Sequence, residues 1–281
     1  MPRIDLHLHT TFSDGSHSPA EVVHLAHVAD LIALAITDHD TVEGIPESSS
    51  AGNSLGIEII PGIELSSRFE GLEIHILGYF FDWENATLLD RLTKQQASRE
   101  QRNPRVVEKL NKLGLELSYE EVKTKAGSGS VGRPHIAEVL IEKGYVKTTK
   151  EAFDRYIADG RPAHIPRELP DSSEAITWIR DAGGVPVLAH PYWTNRKGPG
   201  LHTMCHKLKE AGLMGIEVFY STHTRRQTSE YLELARKLGL IMTGGSDFHG
   251  IAKPNIQVGR GKGDLKVTDK LLEPLRKAAI N

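Results

Sequence analysis

The pair His7 and His9 is the first feature of the sequence with the spacing of a metal site. In an extended strand, side chains two residues apart point to the same face, so both imidazoles can reach one cation. Asp14 follows in a Ser-Asp-Gly turn and is a further candidate, although Asp is also a common turn residue. Taken alone, the histidine pair is equally compatible with two half-buried polar residues at the end of a strand.

A denser group of potential ligands follows the second apolar run, in Thr37-Asp38-His39-Asp40. Unpaired carboxylates are costly to bury, so such a group requires cations or hydrogen-bond donors around it. The alternative interpretation is a solvated loop in which Asp40 caps a helix. All three charged or imidazole side chains are therefore candidate ligands.

Histidines and carboxylates recur in or after the later apolar runs, at Glu64, His75, His190, Glu217, Asp247 and His249. A histidine inside an apolar strand, such as His75, is more often a satisfied core residue than a ligand. Asp247 and His249, however, repeat the spacing of the first histidine pair. The carboxyl ends of parallel strands meet on one face of an α/β fold, where sites are built. Ligands at so many strand ends therefore favour one shared metal site.

The types of ligand narrow both the metal and the reaction. Cys205 is the single cysteine and belongs to none of these groups, so the set favours zinc, manganese or iron over a thiolate site. Several carboxylates allow neighbouring cations to be bridged. That geometry suits hydrolysis at phosphorus, because it lowers the pKa of a bridging water and neutralises the phosphoryl oxygens.

Seven apolar runs alternate with helical patterns and carry these residues at or near their ends. The runs are rich in Ile, Val and Leu, as buried parallel strands should be. They cover residues 3–9, 31–37, 57–64, 73–81, 185–189, 215–219 and 240–243. Helix starts are visible as well, for example the capping box of Ser18 and Glu21 with Pro19 between them. The alternation predicts an α/β fold with a parallel sheet or barrel.

The alternation breaks at residues 85–166, a stretch with mostly helical patterns. We predict that residues 1–84 and 167–281 form the metal-binding barrel and that 85–166 form a helical insertion capping the active site. Asn103-Pro104 predicts the end or a kink of a first long helix. The Gly-Ser-Gly-Ser sequence at 127–130 predicts a flexible turn, after which Gly132-Arg133-Pro134-His135 opens another helix.

Composition limits the partners. The net charge of −3 gives no basic footprint for duplex nucleic acid, and we expect no duplex DNA partner. No apolar run approaches the ~20 residues that cross a bilayer, and no signal-peptide pattern opens the chain. One cysteine excludes an intramolecular disulfide and suits a reducing compartment. These observations predict a cytoplasmic protein without a membrane partner.

The motifs resemble those of the PHP (polymerase and histidinol phosphatase) superfamily, in the same order. They are His7-x-His9, Thr37-Asp38-His39-Asp40, Ala189-His190-Pro191 and Gly245-Ser246-Asp247-x-His249. The resemblance implies a distorted (β/α)7 barrel with three divalent cations, manganese first, with zinc or iron as alternatives. It implies three ligand groups, one for each cation: His7, His9, Glu64 and Asp247; Glu64, His75 and His190; Asp14, His39 and His249. Asp247 and His190 are also expected to be catalytic.

Within the superfamily, Gly132-Arg133-Pro134-His135, residues 151–156 and residues 243–250 resemble one branch, the 3′,5′-nucleoside bisphosphate phosphatases and a related 5′→3′ exoribonuclease. A helix N-terminus with an arginine fork is a good phosphate site. We therefore predict that Arg133 and His135 contact substrate. His223 is a weaker candidate for substrate contact. Tyr192-Trp193 either stack on a base or pack on the barrel rim, and Arg225, Arg226 and Lys253 are interpreted as solvated surface charges.

The leading prediction is a metal-dependent phosphatase that removes the 3′-phosphate of a 3′,5′-bisphosphonucleoside such as pAp. The nearest alternative is a 5′→3′ exoribonuclease acting on short 5′-phosphorylated RNA, in which the same contacts grip the 5′ end. Histidinol phosphatase is less favoured, because that substrate lacks a second phosphate. A non-catalytic, metal-stabilised module is the rival from a different class, and the full set of ligands argues against it.

Overall fold

Seven β-strands form one sheet, and their order in the sheet is their order in the chain. The computed structural model describes residues 2–127 and 131–280, so most of the turn predicted at 127–130 lies outside the described residues. The strands are β1 (Arg3–Leu8), β2 (Leu31–Ile36), β3 (Glu58–Phe69), β4 (Leu72–Tyr79), β5 (Val185–Leu188), β6 (Gly215–Tyr220) and β7 (Ile241–Gly245). All of β5 is buried, as is β1 after its first residue, which explains their apolar sequences.

The sheet closes on itself where β1 meets the segment that follows β7. Leu8 pairs in parallel with Phe248. The backbone N–H of His9 donates to the Phe248 carbonyl at 3.0 Å, and the N–H of Asp247 donates to the His7 carbonyl at 2.8 Å. The result is a nearly closed seven-stranded α/β barrel, as the sequence predicted.

Strand β4 runs antiparallel to both β3 and β5, whereas the sequence predicted parallel strands. The reason is local. A tight turn at Glu70 and Gly71, with φ of 47° and 83°, joins β3 to β4 and leaves no length for the crossover helix that parallel strands need. Consequently the first residues of β4, not its last, lie at the end of the barrel where the parallel strands finish. Ser66 pairs there with His75.

Ten α-helices are found among the described residues. They are α1 (Pro19–Val28), α2 (Ile45–Leu55), α3 (Ala86–Lys112), α4 (Tyr119–Ala126), α5 (Arg133–Glu142), α6 (Thr149–Ala152), α7 (Ser172–Asp181), α8 (Pro199–Glu210), α9 (Arg225–Leu238) and α10 (Leu272–Ile280). The predicted capping box of Ser18 and Glu21 starts α1. Within residues 2–127 and 131–280, no helix has the length and apolar character that a bilayer crossing requires.

Helices α3 to α6 occupy the region where the alternation of the sequence breaks. Their apolar residues, among them Val106, Leu110 and Ile136, form a core of their own. The first turns of α3 instead pack Leu88 and Leu92 against the barrel core. α3 therefore links the two cores. The exact bounds of a capping domain at 85–166 stay a prediction.

Asn103-Pro104 does not end the first helix, because α3 continues through Pro104 to Lys112, and the alternative, a kink at this point, stays a prediction. Proline removes one backbone hydrogen bond from a helix interior. Here the buried Asn103 side chain donates from Nδ2 to the Val131 carbonyl at 2.6 Å. This contact and the buried Val106 and Val107 hold both halves of α3 in place.

The buried carboxylate of Asp40 joins the barrel to α3. Its Oδ2 accepts hydrogen bonds from Arg99 of α3 at 2.6 Å and from Arg167 at 3.0 Å, and its Oδ1 accepts from the Ser66 N–H at 2.8 Å. Burial alone would raise the pKa of Asp40, but the Arg167 and Arg99 guanidinium groups outweigh burial and hold that pKa below its ordinary value. The carboxylate is therefore ionised throughout the neutral range.

We expect Asp40→Asn to lower the free energy of unfolding by about 3–5 kcal/mol, since it leaves two buried guanidinium groups without their anion. Urea denaturation measures the loss. Because the folded pKa is depressed, the contribution is present above the ordinary Asp pKa of about 3.9 and is lost only as the pH falls below it. The difference between wild type and variant should thus stay constant from pH 8 to pH 5.

Asp90→Asn is the matched control, because Asp90 lies on the exposed face of α3 and, among the described residues, forms an ion pair with Lys94 alone. Its effect should stay within about 0.5 kcal/mol. Equal, small effects of the two substitutions would show that the Asp40 contacts do not tie α3 to the barrel.

Candidate metal centre

All nine residues predicted from the sequence to bind metal converge at one end of the barrel. They come from seven places in the chain, all of them strands or the loops that follow strands. The set is His7, His9, Asp14, His39, Glu64, His75, His190, Asp247 and His249. Antiparallel β4 contributes His75 from its first half, which is why that ligand stands inside a strand and not at the end of one.

Glu64 lies at the middle of the group and is almost completely buried. Its Oε1 is 2.8 Å from His75 Nδ1 and 2.8 Å from His190 Nε2. Its Oε2 is 3.1 Å from His7 Nε2, 3.2 Å from His9 Nε2 and 3.3 Å from His39 Nδ1. One carboxylate thus faces five imidazoles, each of its oxygens toward a different subset. This arrangement suits a carboxylate that bridges two cations.

Two further carboxylates complete the imidazole array. Asp14 Oδ1 lies 3.2 Å from His249 Nε2, and Asp14 Oδ2 lies 3.9 Å from His39 Nε2. Asp247 Oδ1 lies 3.3 Å from His9 Nε2 and 3.4 Å from His249 Nδ1. Histidine and carboxylate donors at such spacing match the preferences of divalent transition metals.

The donor atoms form four overlapping groups, and within each group all atoms lie within 4.8 Å of one another. The groups are His9, Asp14, His39 and His249; His7, Glu64 and His190; His7, His9 and Asp247; His39, Glu64 and His75. In addition, His9 Nε2 and His39 Nδ1 are buried and, although close to Glu64 Oε2, have no hydrogen bond of good geometry among the described residues. Buried polar atoms are normally satisfied, so these two nitrogens fit the role of metal donors.

Proton affinities in the centre follow from this crowding. Burial would raise the pKa of Glu64, but His39, His7 and His75 hold it well below its ordinary value. Burial would lower the pKa of His9 and of His75, but neighbouring carboxylates raise them to about 9 and about 10. Burial prevails at His39 and lowers its pKa to about 3. Without cations, the lowered pKa of Glu64 and the raised pKa values of His9 and His75 leave the carboxylate ionised and these two imidazoles protonated at neutral pH.

Of the three candidates after β2, only His39 faces the centre. Asp38 turns back to the loop after β1, where it accepts from the Thr10 N–H at 2.7 Å and from the Ser13 hydroxyl at 2.5 Å. Asp40 faces Arg99 and Arg167, as described above. Asp38 and Asp40 therefore fix the loops that carry ligands and do not join the ligand set.

Glu217 on β6 is a positioning residue, which the sequence placed among the candidate carboxylates but not in the predicted ligand set. Its Oε1 accepts from His7 Nδ1 at 2.9 Å, and its Oε2 accepts from the backbone N–H of His190 at 2.7 Å. The side chain is fully buried. A carboxylate behind a ligating histidine fixes its tautomer and its ring orientation. The signal in the sequence was a carboxylate inside the apolar run 215–219.

Lys253 is not the solvated charge that the sequence predicted. Its Nζ lies 2.5 Å from Asp247 Oδ2, which also accepts from the Tyr220 hydroxyl at 2.5 Å. Asp247 thus directs one oxygen to the imidazoles and the other to two donors. Tyr220 and Asp247 lie 27 residues apart, so no local pattern indicated that contact, whereas Lys253 is only six residues from Asp247 and the loop conformation brings them together.

The two residues predicted to be catalytic have unusual backbones. His190 has φ of 24° and Asp247 has φ of 56°, and neither is a glycine. Such conformations cost about 1–3 kcal/mol each and persist where the surroundings impose them. Each residue lies two positions after a barrel strand, and each contributes a side chain to the centre.

The predicted substrate-binding residues lie at different distances from the centre. His135 is buried at the start of α5, where its Nδ1 accepts from the Gly132 N–H at 3.0 Å, and Gly132 packs against Asp14. Arg133 lies farther out and pairs with Glu73 at 3.3 Å and Asp159 at 3.0 Å.

His223 is half-buried. It donates from Nδ1 to the Val218 carbonyl, and its ring packs on Tyr220 with 4.9 Å between centroids.

Comparison with known proteins agrees with this fold and this centre. The PHP domain model matches residues 5–159, more than half of the chain. A 5′-3′ exoribonuclease from Haemophilus influenzae is 37% identical over 88% of this chain and 90% of its own length. A 3′,5′-nucleoside bisphosphate phosphatase from Chromobacterium violaceum is 29% identical over 92% of this chain and 91% of its own.

A solved structure from Bifidobacterium adolescentis, assigned as a metal-dependent phosphoesterase, covers 100% of this chain and 97% of its own, with a TM-score of 0.89 and 29% identity. The barrel, the histidine and carboxylate centre and these relatives together define a metal-dependent phosphoesterase. The chain belongs to the PHP family.

Metal affinity should rise with pH. His9 and His75 are protonated at neutral pH in the metal-free centre, because their pKa values are about 9 and about 10. A cation must displace those protons, so its affinity increases as the pH rises and levels off once both imidazoles are neutral. Calorimetry of Mn²⁺ binding in buffers of different ionisation enthalpy measures the protons released. Binding without proton release at pH 7 would contradict the assigned proton affinities.

We expect Glu217→Gln to lower metal affinity by about 10- to 100-fold, since His7 loses the carboxylate that fixes its tautomer. Calorimetry or metal analysis after dialysis measures the change. Glu233→Gln on the exposed face of α9 is the matched control and should bind metal like the wild type. Unchanged affinity in Glu217→Gln would remove Glu217 from the supporting residues.

Proposed function

We propose that the protein hydrolyses the 3′-phosphate ester of a nucleotide that also carries a 5′-phosphate, with pAp as the leading substrate and 5′-AMP and phosphate as products. The observation that carries this proposal is the position of α5. Its first turn, with Arg133 and His135, stands directly beside the Asp14 side of the centre. A phosphate-binding element therefore accompanies a hydrolytic one.

Three divalent cations would fit the donor groups, and manganese is the metal we propose. By the family resemblance, His7, His9, Glu64 and Asp247 would hold the first; Glu64, His75 and His190 the second; Asp14, His39 and His249 the third. The third set lies within one of the four donor groups, and Glu64 contacts both histidines of the second at 2.8 Å. When bound, such cations supply a water of lowered pKa and neutralise charge on the phosphoryl oxygens. The chain itself supplies their spacing, through the carboxylate of Glu64, which the first and second sets share.

Asp247 and His190 are the residues we assign to the reacting group. Asp247 is held in place by the Tyr220 hydroxyl and the Lys253 ammonium, both on its Oδ2. His190 is held through its backbone N–H by Glu217 and through its Nε2 by Glu64. Preorganised groups of this kind act without reorganising during the reaction.

The 5′-phosphate would serve as the recognition group. A helix N-terminus offers free N–H groups and the positive end of its dipole, and arginine adds a fork that matches phosphate oxygens. Arg133 stands at that terminus with its guanidinium between Glu73 and Asp159. His135 adds an imidazole at the same helix terminus, and His223, packed beside Tyr220, would line the nucleoside side.

A second candidate function is 5′→3′ exoribonuclease activity on short 5′-phosphorylated RNA. It is supported by a cleft of about 250 Å³ beside Asp247, lined among others by Trp193, Tyr220, Lys253 and Lys262. The Trp193 ring is more than half exposed. An aromatic face with lysines nearby suits the base and backbone of a single strand. Such a cleft would receive the nucleotide on the far side of the scissile ester.

The manganese-loaded protein should release orthophosphate from pAp but not from 5′-AMP, because only pAp carries both the 3′ ester and the 5′ recognition group. A phosphate assay measures release, and a chelator should abolish it. Successive release of 5′-mononucleotides from a 5′-phosphorylated trinucleotide, with a higher kcat/KM than for pAp, would favour the exoribonuclease. No release from pAp would contradict the leading proposal, and histidinol phosphate would be the next substrate to assay.

A further inference from the structure

Four arginines meet beside the metal centre, where α3 and the chain after the insertion cross the end of the barrel. We name Arg99, Arg102, Arg133 and Arg167 the arginine cluster. Arg99, Arg102 and Arg167 are each only 7% exposed. Arginine is rarely buried to this degree unless each guanidinium is paired. We therefore compared these guanidinium groups with the carboxylates that lie within ion-pair distance of them.

The available carboxylates do not satisfy the cluster. Arg99 and Arg167 share one carboxylate, that of Asp40, and Arg133 uses Glu73 and Asp159. Within residues 2–127 and 131–280, Arg102 has no carboxylate at ion-pair distance, and its Nε and Nη2 donate only to the side-chain oxygen of Asn103.

Arg167 is incompletely paired as well. Its Nη2 contacts Asp40, but its Nε and Nη1 are buried and have no hydrogen-bond partner among the described residues. Two nitrogens of a buried guanidinium without acceptors are costly, because each has lost its water and gained nothing in return. These two Arg167 nitrogens could therefore donate to a bound anion.

Electrostatics agrees with this count. Burial and the like charges of Arg133, Arg99 and Arg167 lower the pKa of Arg102 to about 9, and Glu73 offsets only part of that effect. Arg102 is therefore held in a site of positive potential. A purely structural residue at that position would be more stable as an uncharged side chain.

The cluster adjoins the metal centre on the side of His39 and His75. Asp40 directly follows His39 in the chain, and Glu73 Oε1 lies 3.8 Å from His75 Nε2. Asn103, the acceptor for Arg102, bonds to the Val131 carbonyl just before α5. The side chains of Glu73, His75 and Arg133 remain about one-fifth exposed, so the cluster opens toward the centre.

We propose that the arginine cluster is the binding site of the 5′-phosphate of the nucleotide substrate, with Arg102 and Arg167 as binding residues beside Arg133. The proposal rests on the proposed function and extends it. A phosphate dianion offers acceptors for the two unpaired nitrogens of Arg167 and a counter-charge for Arg102, which has only a neutral amide as its partner. Guanidinium forks bind phosphate in two-point contacts. The cluster would then account for buried charges that the fold alone leaves unmatched.

The test compares kcat/KM for pAp with kcat/KM for adenosine 3′-phosphate, which has the same scissile ester and no 5′-phosphate. Their ratio measures what the 5′-phosphate contributes, whatever the state of the metal centre. Arg102→Gln should lower the ratio by about 10- to 100-fold, the usual loss for a hydrogen bond to a charged group. Arg105→Gln is the matched control, because Arg105 is exposed on the same helix, and it should keep the wild-type ratio.

A structural role predicts a different pattern. If Arg102 mainly held α3 to the barrel, Arg102→Gln would lower the Tm of the ligand-free protein as Asp40→Asn does. A phosphate-binding role predicts a Tm equal to or above that of wild type, because an unmatched buried charge is removed. A wild-type ratio in Arg102→Gln would overturn the proposal.

The proposed function and this inference can fail separately. If the wild type hydrolyses neither pAp nor adenosine 3′-phosphate, the proposed function fails. The anion site is then tested with 5′-AMP and the metal-loaded protein. The Tm rise that 5′-AMP produces should be lost in Arg102→Gln and kept in Arg105→Gln. Equal rises in wild type and Arg102→Gln would overturn the inference.

Discussion

The buried carboxylate of Glu64 is the constraint on which the active end of the barrel depends. It is surrounded by five imidazoles at 2.8–3.3 Å, contributed by β1, the loops after β1, β2 and β5, and β4. An isolated carboxylate cannot be buried at this depth, because the loss of hydration far exceeds any packing gain. Those five segments must therefore all remain within reach of one side chain, and barrel closure is the way this chain achieves it.

A second set of carboxylates positions the first. Asp5 accepts from the N–H groups of Ser246 and Gly259, and so anchors the segments before and after Asp247. Asp38 anchors the loop between His9 and Asp14, as Glu217 anchors His7 and His190. Carboxylates that accept hydrogen bonds from backbone N–H groups hold that backbone in place, and with it the neighbouring metal ligands. The acidic residues of this end thus divide into those that face the imidazoles and those that fix the backbone.

Much of this arrangement was predictable from the sequence, because strand spacing is simple. The runs of Ile, Val and Leu located all seven strands, and histidines two apart had to share a face. The direction of β4 was not predictable, since it depends on a turn whose shape the pattern does not encode. Nor was the division among Asp38, His39 and Asp40, because alternation sends neighbours to different faces without saying which face is the centre.

The arginine cluster could not be predicted from the sequence, for a different reason. Arg99 and Arg102 stand on a helix with many charged residues, where solvated side chains are the ordinary expectation, and their surroundings come from distant parts of the chain. Arg99 meets Asp40 across 59 residues and Arg167 meets it across 127. Only the packing of α3 on the barrel reveals that these charges are buried. Local sequence patterns do not predict contacts between residues that lie so far apart in the chain.

The line where the barrel closes runs through the metal centre itself. The two hydrogen bonds that join the end of β1 to the chain after β7 use the backbones of His7, His9 and Asp247, three of the proposed ligands. Any release of those side chains therefore also loosens the closure and frees two strand edges, which are templates for pairing with other chains. Catalytic competence and protection against aggregation are consequently bound to the same few residues, and amide exchange along this line would report on both.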